Sequence, residues 1–456
     1  MGTSDTFQLP IPDGHDPLHE RLAAAIERWI SSGQLRPGER LPTHRELSRD
    51  AGVAIGTVTK AISYLEKRGV VRSETGRGTF VNMVVEPAAE FTDLNFNIPL
   101  PVVDEGQFRA AAVQASSRLS NTPNGGYPEP GGHKEHRKIL SDWLSAMRLE
   151  LAADDMVVTV GGQHAIHLAM ADLAGHTRGV ATEAATFSGA IAAANNLGLQ
   201  LHAVDHDEEG MLPDALERLF AESECRAIYL TPVCQNPYGF EMTEARRKDI
   251  LAVCRRADAF IIEDDLYGIY SDTGSPTFRE LDGERVYYIN GLSKSLTPLV
   301  RVGVLAPPQP RRGAIASRIR AELWGVSAFD LEVAKALFEM GAHLSAREAL
   351  RAEARSRVEL AASILHLRLP MPSGSPHVWL PMPKIAAQKL ARQALEQGVR
   401  ITPPDAVAVG GEKAGGVRLC LMAAPQRDSL TNALRVIADL RAAAGFESVA
   451  ADLHIV

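Results

Sequence analysis

A lysine and a carboxylate upstream of it are the residues of this chain best suited to covalent chemistry. Lys294 lies in the stretch Asn-Gly-Leu-Ser-Lys-Ser, and Arg301 follows it seven residues later. Asp264 comes shortly after the apolar run 259–262, which is typical of a buried strand. A lysine amine can form a Schiff base with an aldehyde, and a carboxylate can keep a pyridine nitrogen protonated so that the ring withdraws electrons. The two residues together predict chemistry on an aldehyde carried by a pyridine ring.

Two further segments supply groups for the rest of such a molecule. Gly161-Gly162-Gln163 lies between an apolar strand and a helix, and a helix N-terminus offers free N–H groups and a positive dipole end to a phosphate. Asn236 lies in the stretch Gln-Asn-Pro-Tyr-Gly, between the glycine pair and the aspartate. Each segment alone is a weak signal, but in this order they predict that pyridoxal phosphate (PLP) is bound covalently through Lys294.

The composition is that of an ordinary globular protein with more than one domain. The chain has 456 residues, of which 45% are hydrophobic and 23% charged, so two or three domains are expected. Its four cysteines show neither the CxxC nor the Cys/His spacing of a metal site, and we expect no metal and no disulfide framework. The N-terminus has no secretory signal, and no apolar run reaches the length of a membrane span. A cytoplasmic protein without a membrane partner is therefore expected.

The net charge of −8 is unevenly distributed along the chain. Residues 18–81 carry 11 Lys/Arg and 7 Asp/Glu, so the remainder of the chain carries a net charge of −12. A basic module joined to an acidic body favours nucleic acid as the partner of that module, although charged runs are usually solvated faces.

The N-terminal region has the pattern of three short helices followed by a β-hairpin. Apolar residues at helical spacing, with glycines or capping residues at the ends, predict helices over 18–30, 43–51 and 55–68. Residues 70–81 predict a hairpin with a glycine-bearing tip. This order of elements is that of a winged helix-turn-helix domain.

From about residue 94 the pattern changes to short apolar strands that alternate with alanine-rich amphipathic helices. Strands separated by helices imply right-handed crossovers and a mostly parallel sheet. The region from about 327 to 456 predicts a smaller α/β domain. The strands are expected at 156–160, 179–182, 227–230, 260–263, 286–289, 302–306, 378–381 and 417–421. The four expected segments are a flexible lead (1–16), a winged-helix domain (17–82), a linker (83–93) and the body (94–456).

Three stretches of the N-terminal region carry a specific pattern: Leu-Arg-Pro-Gly-Glu-Arg-Leu-Pro-Thr-His-Arg-Glu-Leu at 35–47, Gly-Thr-Val-Thr-Lys-Ala at 56–61 and Gly-Arg-Gly-Thr-Phe-Val at 76–81. With them, residues 18–81 resemble the GntR family of winged-helix repressors. The resemblance implies that the second helix of the turn motif enters the major groove of double-stranded DNA. The residues that it implies for DNA contact are Arg45, Arg49, Thr57, Thr59, Lys60 and Arg77.

Ala54, Ile55 and Thr59 depart from this family pattern. Ser, Arg and Arg are frequent at those positions, and such arginines can bind guanine edges with two hydrogen bonds. No operator sequence can therefore be carried over from the family. Solvation of the protein surface is the alternative role for Arg45 and Arg49.

The body, with its glycine pair, Asn236, Asp264 and Lys294 in this order, resembles fold-type I aminotransferases. A GntR module joined to such a body is similar to the MocR subfamily of transcriptional regulators, and this resemblance covers nearly the whole chain. It implies a multidomain protein in which a winged helix-turn-helix precedes an α/β PLP-dependent transferase domain. It also implies a homodimer whose partners are operator DNA and an amine or amino-acid effector.

Within this resemblance, Lys294 binds PLP covalently and Asp264 is the partner of the pyridine nitrogen. Tyr267 and Asn236 match residues that hydrogen-bond the ring hydroxyl oxygen. Phe187 takes the position of a ring that stacks on PLP, and plain core packing is its alternative role. The phosphate-binding positions are matched by Gly162, Gln163, Ser293 and Arg301.

Two more positions extend the site beyond the ring and its phosphate. Tyr127 corresponds to a tyrosine that reaches the phosphate from the neighbouring subunit. Arg418 matches the arginine that binds a substrate carboxylate, a task suited to a planar fork of donors. An internal ion pair with an acidic residue is the alternative for Arg418.

The residues named above are compatible with three different functions. The first is a regulator that senses an amine or amino acid by aldimine exchange at Lys294 and so shifts the population of DNA-competent dimers. The second is an aminotransferase that carries the DNA-binding module as an appendage, and the third is a PLP-free scaffold that only dimerises this module. The winged helix favours the first because an enzyme has no need of it. The intact Lys294, Asp264 and Arg301 weigh against the third.

Overall fold

The computed structural model describes residues 17–31, 35, 38–67, 70–74, 77–81, 91–120, 127–368 and 374–444. The expected lead, and the expected linker up to residue 90, lie outside the described residues. The chain divides into two compact units, Met1–Glu90 and Phe91–Val456.

The N-terminal unit is the predicted winged helix-turn-helix. Its elements are α1 (Leu18–Ser31), α2 (His44–Asp50), α3 (Ile55–Lys67) and an antiparallel wing of β1 (Val71–Glu74) and β2 (Gly78–Val81). Leu22, Leu47 and Val58, one from each helix, are fully buried in a common core. Thr43 and Glu46 form the predicted reciprocal capping box, which fixes where α2 begins.

The second unit contains twelve helices and thirteen strands among the described residues. The helices are α4 (Glu105–Ser120), α5 (Lys134–Met147), α6 (Gly161–Leu173), α7 (Ser188–Asn196), α8 (Pro213–Glu222), α9 (Glu244–Arg256), α10 (Phe278–Leu281), α11 (Arg312–Leu323), α12 (Ala328–Glu339), α13 (Ala342–Leu365), α14 (Lys384–Glu396) and α15 (Arg427–Ala443). The strands are β3 (Thr92–Asp93), β4 (Val157–Thr159), β5 (Gly179–Glu183), β6 (Gln200–Val204), β7 (His206–Asp207), β8 (Gly210–Met211), β9 (Ala227–Leu230), β10 (Phe260–Asp264), β11 (Val286–Gly291), β12 (Gly303–Ala306), β13 (His377–Pro381), β14 (Val399–Arg400) and β15 (Gly416–Cys420).

Seven strands form the main sheet in the order β4-β12-β11-β10-β9-β5-β6. All neighbours are parallel except β12, which runs antiparallel to both β11 and β4. The mostly parallel sheet is therefore confirmed, and the six strands expected for it are present. The seventh, β6, was not expected from the sequence because it is a partly exposed edge strand and lacks a continuous apolar run.

A second core lies outside the main sheet. It is formed by the later part of α13, the strands β13 and β15, and the helices α14 and α15, with fully buried Leu94 inserted into it. The helix α12 instead packs along α4 against the core of the main sheet, so the second core begins later than residue 327. Thr92–Asp93 pairs in parallel with Val399–Arg400, so the last residues of the expected linker belong to the body.

The topology brings the chemically interesting residues to one edge of the main sheet. The strands β4, β5, β9, β10 and β11 are mutually parallel, so their carboxyl ends lie at the same edge. Asp264 ends β10, Lys294 follows β11, and Gly161 follows β4. Ligands of open α/β sheets bind outside the carboxyl ends of the strands, which makes this edge the candidate site.

Candidate functional site

Lys294 is held in a half-buried position just after β11. Its Nζ atom donates a hydrogen bond to the backbone carbonyl of Asn97. Burial lowers the pKa of the Lys294 amine to about 8, and the nearby Arg418 and Arg301 act in the same direction. A larger share of this amine is therefore neutral near pH 7 than for a surface lysine, and the neutral amine is the nucleophilic form.

Asp264 is a buried carboxylate with two anchors. The Tyr229 hydroxyl donates to its Oδ2 atom over 2.6 Å, and the Leu266 N–H donates to Oδ1 over 3.3 Å. Burial raises the pKa of Asp264 to about 6, although the Tyr229 hydrogen bond opposes the shift. A cation at this carboxylate would favour its ionised form, which is the interaction that a protonated pyridine nitrogen offers.

The start of α6 forms a cradle suited to an anion. No side chain caps the first turn of this helix, whose first residue, Gly161, has a φ of +69°. A Cβ atom at Gly161 would lie 2.8 Å from Nη2 of Arg301, and one at Gly303 would lie 2.6 Å from the Gly161 carbonyl carbon. The Nη1 atom of Arg301 donates to Ser293 Oγ over 3.1 Å. Helix N–H groups, a guanidinium and a hydroxyl thus meet at one place, and this donor set fits a phosphate.

Gln163 and Phe187 lie beside this cradle. The Gln163 side chain donates to the carbonyl of Gly189 over 2.8 Å, which ties α6 to the first turn of α7. Phe187 occupies the N-cap position of α7 and is half-buried against the core that α6 and α7 share. Phe187 therefore lies at the surface of this core, and its position is compatible both with stacking on PLP and with plain core packing.

Arg418 is buried on β15 and is bound by neutral oxygens. Its Nη1 atom donates to Asn236 Oδ1 over 2.5 Å, and Nη2 donates to the Asn95 carbonyl over 2.6 Å and to Thr402 Oγ1 over 2.9 Å. The Nε atom is buried without a hydrogen-bond partner in the described part of the chain. Arg418 thus joins Asn236 to the site, and no carboxylate among the described residues forms an ion pair with it.

The structure adds four residues that sequence reasoning missed. Asn97 donates to the Tyr267 hydroxyl over 2.9 Å and to Nδ1 of His377 over 3.0 Å, and His377 in turn contacts the backbone of Gln235. Tyr229 is the fourth, through its bond to the site aspartate. These residues come from separate segments with no mutual spacing rule. The signals in the sequence were the position of Gln235 directly before Asn236 and the stretch Asn-Ile-Pro at 97–99, which replaces a glycine-containing turn often found near the substrate in the family that the body resembles.

Tyr127 lies outside the candidate site of its own subunit. Its side chain is 78% exposed, and its ring lies 4.9 Å from the ring of Trp324. Within one chain, therefore, the structure joins the other expected cofactor and effector residues and leaves this tyrosine outside.

The expected DNA contacts lie in the N-terminal unit. Arg45 and Arg49 are exposed one turn apart on α2, and Arg49 forms an ion pair of 3.1 Å with Asp50. Thr57 is half-buried at the start of α3, whereas Thr59, Lys60 and the wing residue Arg77 are exposed. The Thr59 hydroxyl lies 3.3 Å from Nδ1 of His44, which connects α3 to α2. Five of the six expected residues thus present an exposed side chain.

Two other kinds of site are absent from the part of the chain that the structure describes. No group of three or more His, Cys, Asp or Glu side chains there could hold a metal ion. No helix in the same residues is long and apolar enough to cross a lipid bilayer.

Two family models match this sequence. Residues 89–437 match the aminotransferase class I and II family, and residues 18–81 match the gntR family of bacterial regulatory proteins. The two matches correspond to the two units of the structure.

The relatives of the chain are named as transcriptional regulators. It is 25% identical over 427 residues to the uncharacterized HTH-type transcriptional regulator YdfD of Bacillus subtilis, with 84% of this chain and 89% of YdfD covered. It is 28% identical to the HTH-type pyridoxine biosynthesis transcriptional regulator PdxR of Corynebacterium glutamicum, with 68% and 71% covered. It is 26% identical to the probable rhizopine catabolism regulatory protein MocR of Rhizobium meliloti, with 65% and 67% covered.

Two solved structures that resemble the chain are aminotransferases. An archaeal alanine:glyoxylate aminotransferase superposes with a TM-score of 0.70 at 23% identity, over 84% of this chain and 94% of that enzyme. The kynurenine aminotransferase of Pyrococcus horikoshii also gives a TM-score of 0.70 at 23% identity, over 78% and 92%. This likeness shows the fold alone. The chain therefore belongs to the aminotransferase class I and II family and, with its GntR helix-turn-helix domain, has the architecture of the MocR-type transcriptional regulators.

Proposed function

We propose that this protein regulates transcription by binding PLP on Lys294 and sensing an amino acid, whose amine displaces the lysine from the aldehyde carbon of the cofactor. The observation that carries the proposal is the environment of Arg418. A buried guanidinium is costly unless an anion or a full set of acceptors meets it. Here its acceptors are two neutral side chains and one carbonyl, and Nε has none among the described residues.

This environment favours a carboxylate ligand over the internal ion pair that was the alternative for Arg418. A carboxylate can accept two parallel hydrogen bonds from a guanidinium, and such pairs are shorter and stronger than neutral ones. Asn236, which accepts from Nη1, belongs to the segment beside the lysine and aspartate site. An amino acid held at Arg418 would thus present its amine towards Lys294.

The residues of the site fit PLP on grounds that the structure supplies. The uncapped start of α6, with Arg301 and Ser293, suits the phosphate, and buried Asp264 suits the pyridine nitrogen. When bound, PLP supplies an aldehyde carbon that accepts an amine and a ring that withdraws electrons. Lys294 holds the cofactor until an effector amine replaces it.

Release of Arg418 from its present acceptors offers a route from the site towards the DNA-binding unit. An effector carboxylate competes with the Asn95 carbonyl for Nη2 of Arg418. Asn95 lies a few residues after Glu90, the last residue of the N-terminal unit. We propose that this segment responds to the effector, and that the active species is a cytoplasmic homodimer bound to operator DNA.

The experiment compares amino acids with the amines that lack their carboxylate. Each pair of ligands is titrated against the visible absorption of the PLP-loaded protein. A charge-assisted pair of hydrogen bonds contributes roughly 1.5–3 kcal/mol, so wild type should prefer the amino acid by about tenfold or more. Arg418→Ala should lose this preference, whereas Arg435→Ala, which removes an exposed arginine on α15, should keep it.

Two outcomes would contradict parts of this proposal. An unchanged preference in Arg418→Ala would assign the arginine a structural role. Continuous formation of a keto acid beyond one turnover per site, with no effect of the amino acid on DNA binding, would make the protein an aminotransferase with a DNA-binding appendage. The DNA probe is a duplex that the wild-type protein selects from a random-sequence library.

A further inference from the structure

The backbone carbonyl of Gln235, which can only accept, determines which groups donate and which accept in the hydrogen bonds around Tyr267. The Nε2 atom of His377 lies 3.0 Å from the carbonyl oxygen of Gln235, so Nε2 carries the ring proton. His377 is fully buried, and burial, together with Arg418, lowers its imidazole pKa to about 3. The ring is therefore neutral at physiological pH, and its other nitrogen, Nδ1, is an acceptor.

This acceptor fixes the orientation of the Asn97 amide. The amide nitrogen lies 3.0 Å from Nδ1 of His377, and the opposite orientation would put the amide oxygen against the Nδ1 lone pair. The second N–H of the amide is directed to the Tyr267 hydroxyl, 2.9 Å away. The amide oxygen of Asn97 has no partner among the described residues, so His377 and Tyr267 alone hold the amide in this orientation.

The Tyr267 oxygen must therefore accept from Asn97, and its one proton remains to be donated elsewhere. No acceptor for this proton lies within hydrogen-bond distance among the described residues. Burial raises the pKa of the Tyr267 phenol, so the proton stays on the oxygen near neutral pH. The charged or titratable groups near this phenol include Arg418, Cys420 and Asp264, together with the phenols of Tyr229 and Tyr270.

We infer that Asn97 and His377 are positioning residues that keep the Tyr267 proton available for an acceptor inside the site. The inference rests on the proposed function, in which the acceptor is the ring hydroxyl oxygen of PLP. Without His377, the Asn97 amide can turn its oxygen towards Tyr267 and take the proton away from the site. The series of hydrogen bonds from Gln235 through His377 and Asn97 to Tyr267 thus sets which partner donates in the Asn97–Tyr267 hydrogen bond. It does not change the number of hydrogen bonds between these two residues.

The direction matters for the reactivity of the lysine nitrogen. With PLP bound, a hydrogen bond from Tyr267 to the ring hydroxyl oxygen would weaken the attraction of that oxygen for a proton on the Lys294 nitrogen. Tyr267 would therefore lower the pKa of the Lys294 nitrogen. Cys420, Arg418, Asp264 and Arg301 also face Lys294, and a substitution at His377 replaces none of the four.

The test compares two variants of His377, asparagine and leucine, whose side chains have nearly the same shape as each other. His377→Asn keeps an oxygen acceptor near the former Nδ1 position, whereas His377→Leu has none. The readout is the pH at which the visible absorption of the PLP-loaded protein changes. We expect this pH to rise by about one unit in His377→Leu, the shift expected for one hydrogen bond, and by clearly less in His377→Asn.

A double-mutant cycle separates positioning from a general effect on packing. In a Tyr267→Phe background there is no proton to direct, so His377→Leu should cause no further shift of the titration. Asn97→Leu has nearly the same shape as asparagine but no oxygen that could take the Tyr267 proton, so it should shift the titration much less than His377→Leu. In the Asn97→Leu background, His377→Leu should cause no further shift. His377→Phe, which keeps a ring but has no acceptor, serves as the second probe if His377→Leu does not fold.

The outcomes are distinguishable from failure of the proposed function. Equal shifts for His377→Leu with and without the Tyr267 hydroxyl would overturn the inference, as would an unchanged titration in His377→Leu or, if that variant does not fold, in His377→Phe. A wild-type protein that purifies without a PLP absorption band, and does not gain one on addition of PLP, would instead overturn the proposed function.

Discussion

Burial is the largest cause of the lowered pKa of Lys294, which is about 8, and the charged neighbours of Lys294 act in opposite directions. Cys420 and Asp264 favour the charged amine, whereas Arg418 and Arg301 favour the neutral one. Lys294 thus supplies the nucleophile of the site, while the surrounding groups set the pH range in which its amine is neutral. The strand-end positions of Lys294 and Asp264 could be predicted because apolar runs mark buried strands in sequence.

The pH dependence of cofactor capture follows from this pKa. The rate at which the cofactor-free protein binds PLP should rise with pH up to about 8 and then level off, because the neutral amine attacks the aldehyde. A lysine with an ordinary pKa, about 10.4, would give a rate that still rises above pH 9. Stopped-flow absorbance over this range measures the effect, and Lys294→Ala should show no visible band. A rate still rising steeply at pH 9 would contradict the burial argument.

The residues that the sequence did not reveal are those that act through other residues. Asn97 and His377 lie in segments without a periodic or glycine signal, and they meet Tyr267 only because β13 and the start of the body fold over the sheet edge. Their hydrogen bonds join positions far apart in the chain. Such contacts depend on tertiary packing, which a single sequence does not encode as a local pattern.

Among the elements, β12 connects β4 and β11, the two strands that precede Gly161 and Lys294. It is inserted antiparallel between β4 and β11, and Gly303 at its start is paired with both Thr159 and Gly291. The six main-sheet strands expected from the sequence are present, but neither the direction of β12 nor the edge strand β6 could be predicted. Strand direction depends on the route of the connecting segments, and apolar content does not specify it.

Gly303→Ala should weaken PLP binding. The added Cβ would lie 2.6 Å from the Gly161 carbonyl carbon and 2.7 Å from Thr159 Oγ1, so the backbone of the cradle must shift. Overpacking of this kind costs roughly 1–3 kcal/mol, which corresponds to a rise of about fivefold or more in the PLP dissociation constant. The measurement is a spectroscopic PLP titration. Gly313→Ala is the control because nothing lies within 4 Å of its Cβ position, and unchanged PLP affinity in Gly303→Ala would contradict the cradle.

The helix α2 and the wing should contribute differently to DNA binding. Arg45→Ala is expected to relax sequence preference and to cost on the order of 1–3 kcal/mol, as for a lost base contact. Arg77→Ala should lower the salt slope of binding by about one unit, as for a lost phosphate contact. Binding to a selected duplex at several salt concentrations separates the two effects, with Arg435→Ala as control. Full affinity in the double variant Arg45→Ala/Arg77→Ala would contradict DNA binding by this unit.

At the scale of the whole molecule, the exposed Tyr127 makes the assembly testable. Its side chain is 78% exposed, and its ring packs against Trp324. We expect a homodimer in which this tyrosine serves the neighbouring site. Two inactive parents, Tyr127→Ala and Lys294→Ala, should then form mixed dimers with one normal PLP site. Absorption titration and sedimentation of the mixture measure this, and a monomer at micromolar concentration with normal PLP affinity would contradict it.

The position of β4 has a consequence for the order in which the protein matures. Within the main sheet β4 pairs only with β12, so residues 157–159 have no partner strand until residues 303–306 have been synthesised. The segment with Asn97 finds its partners even later in synthesis, because Leu94 forms backbone hydrogen bonds with Arg400 and with Cys420. Contacts of such long sequence separation form late, whereas N-terminal units fold first on the ribosome. A nascent chain therefore completes its DNA-binding unit well before the segments of the proposed cofactor site can pair with one another.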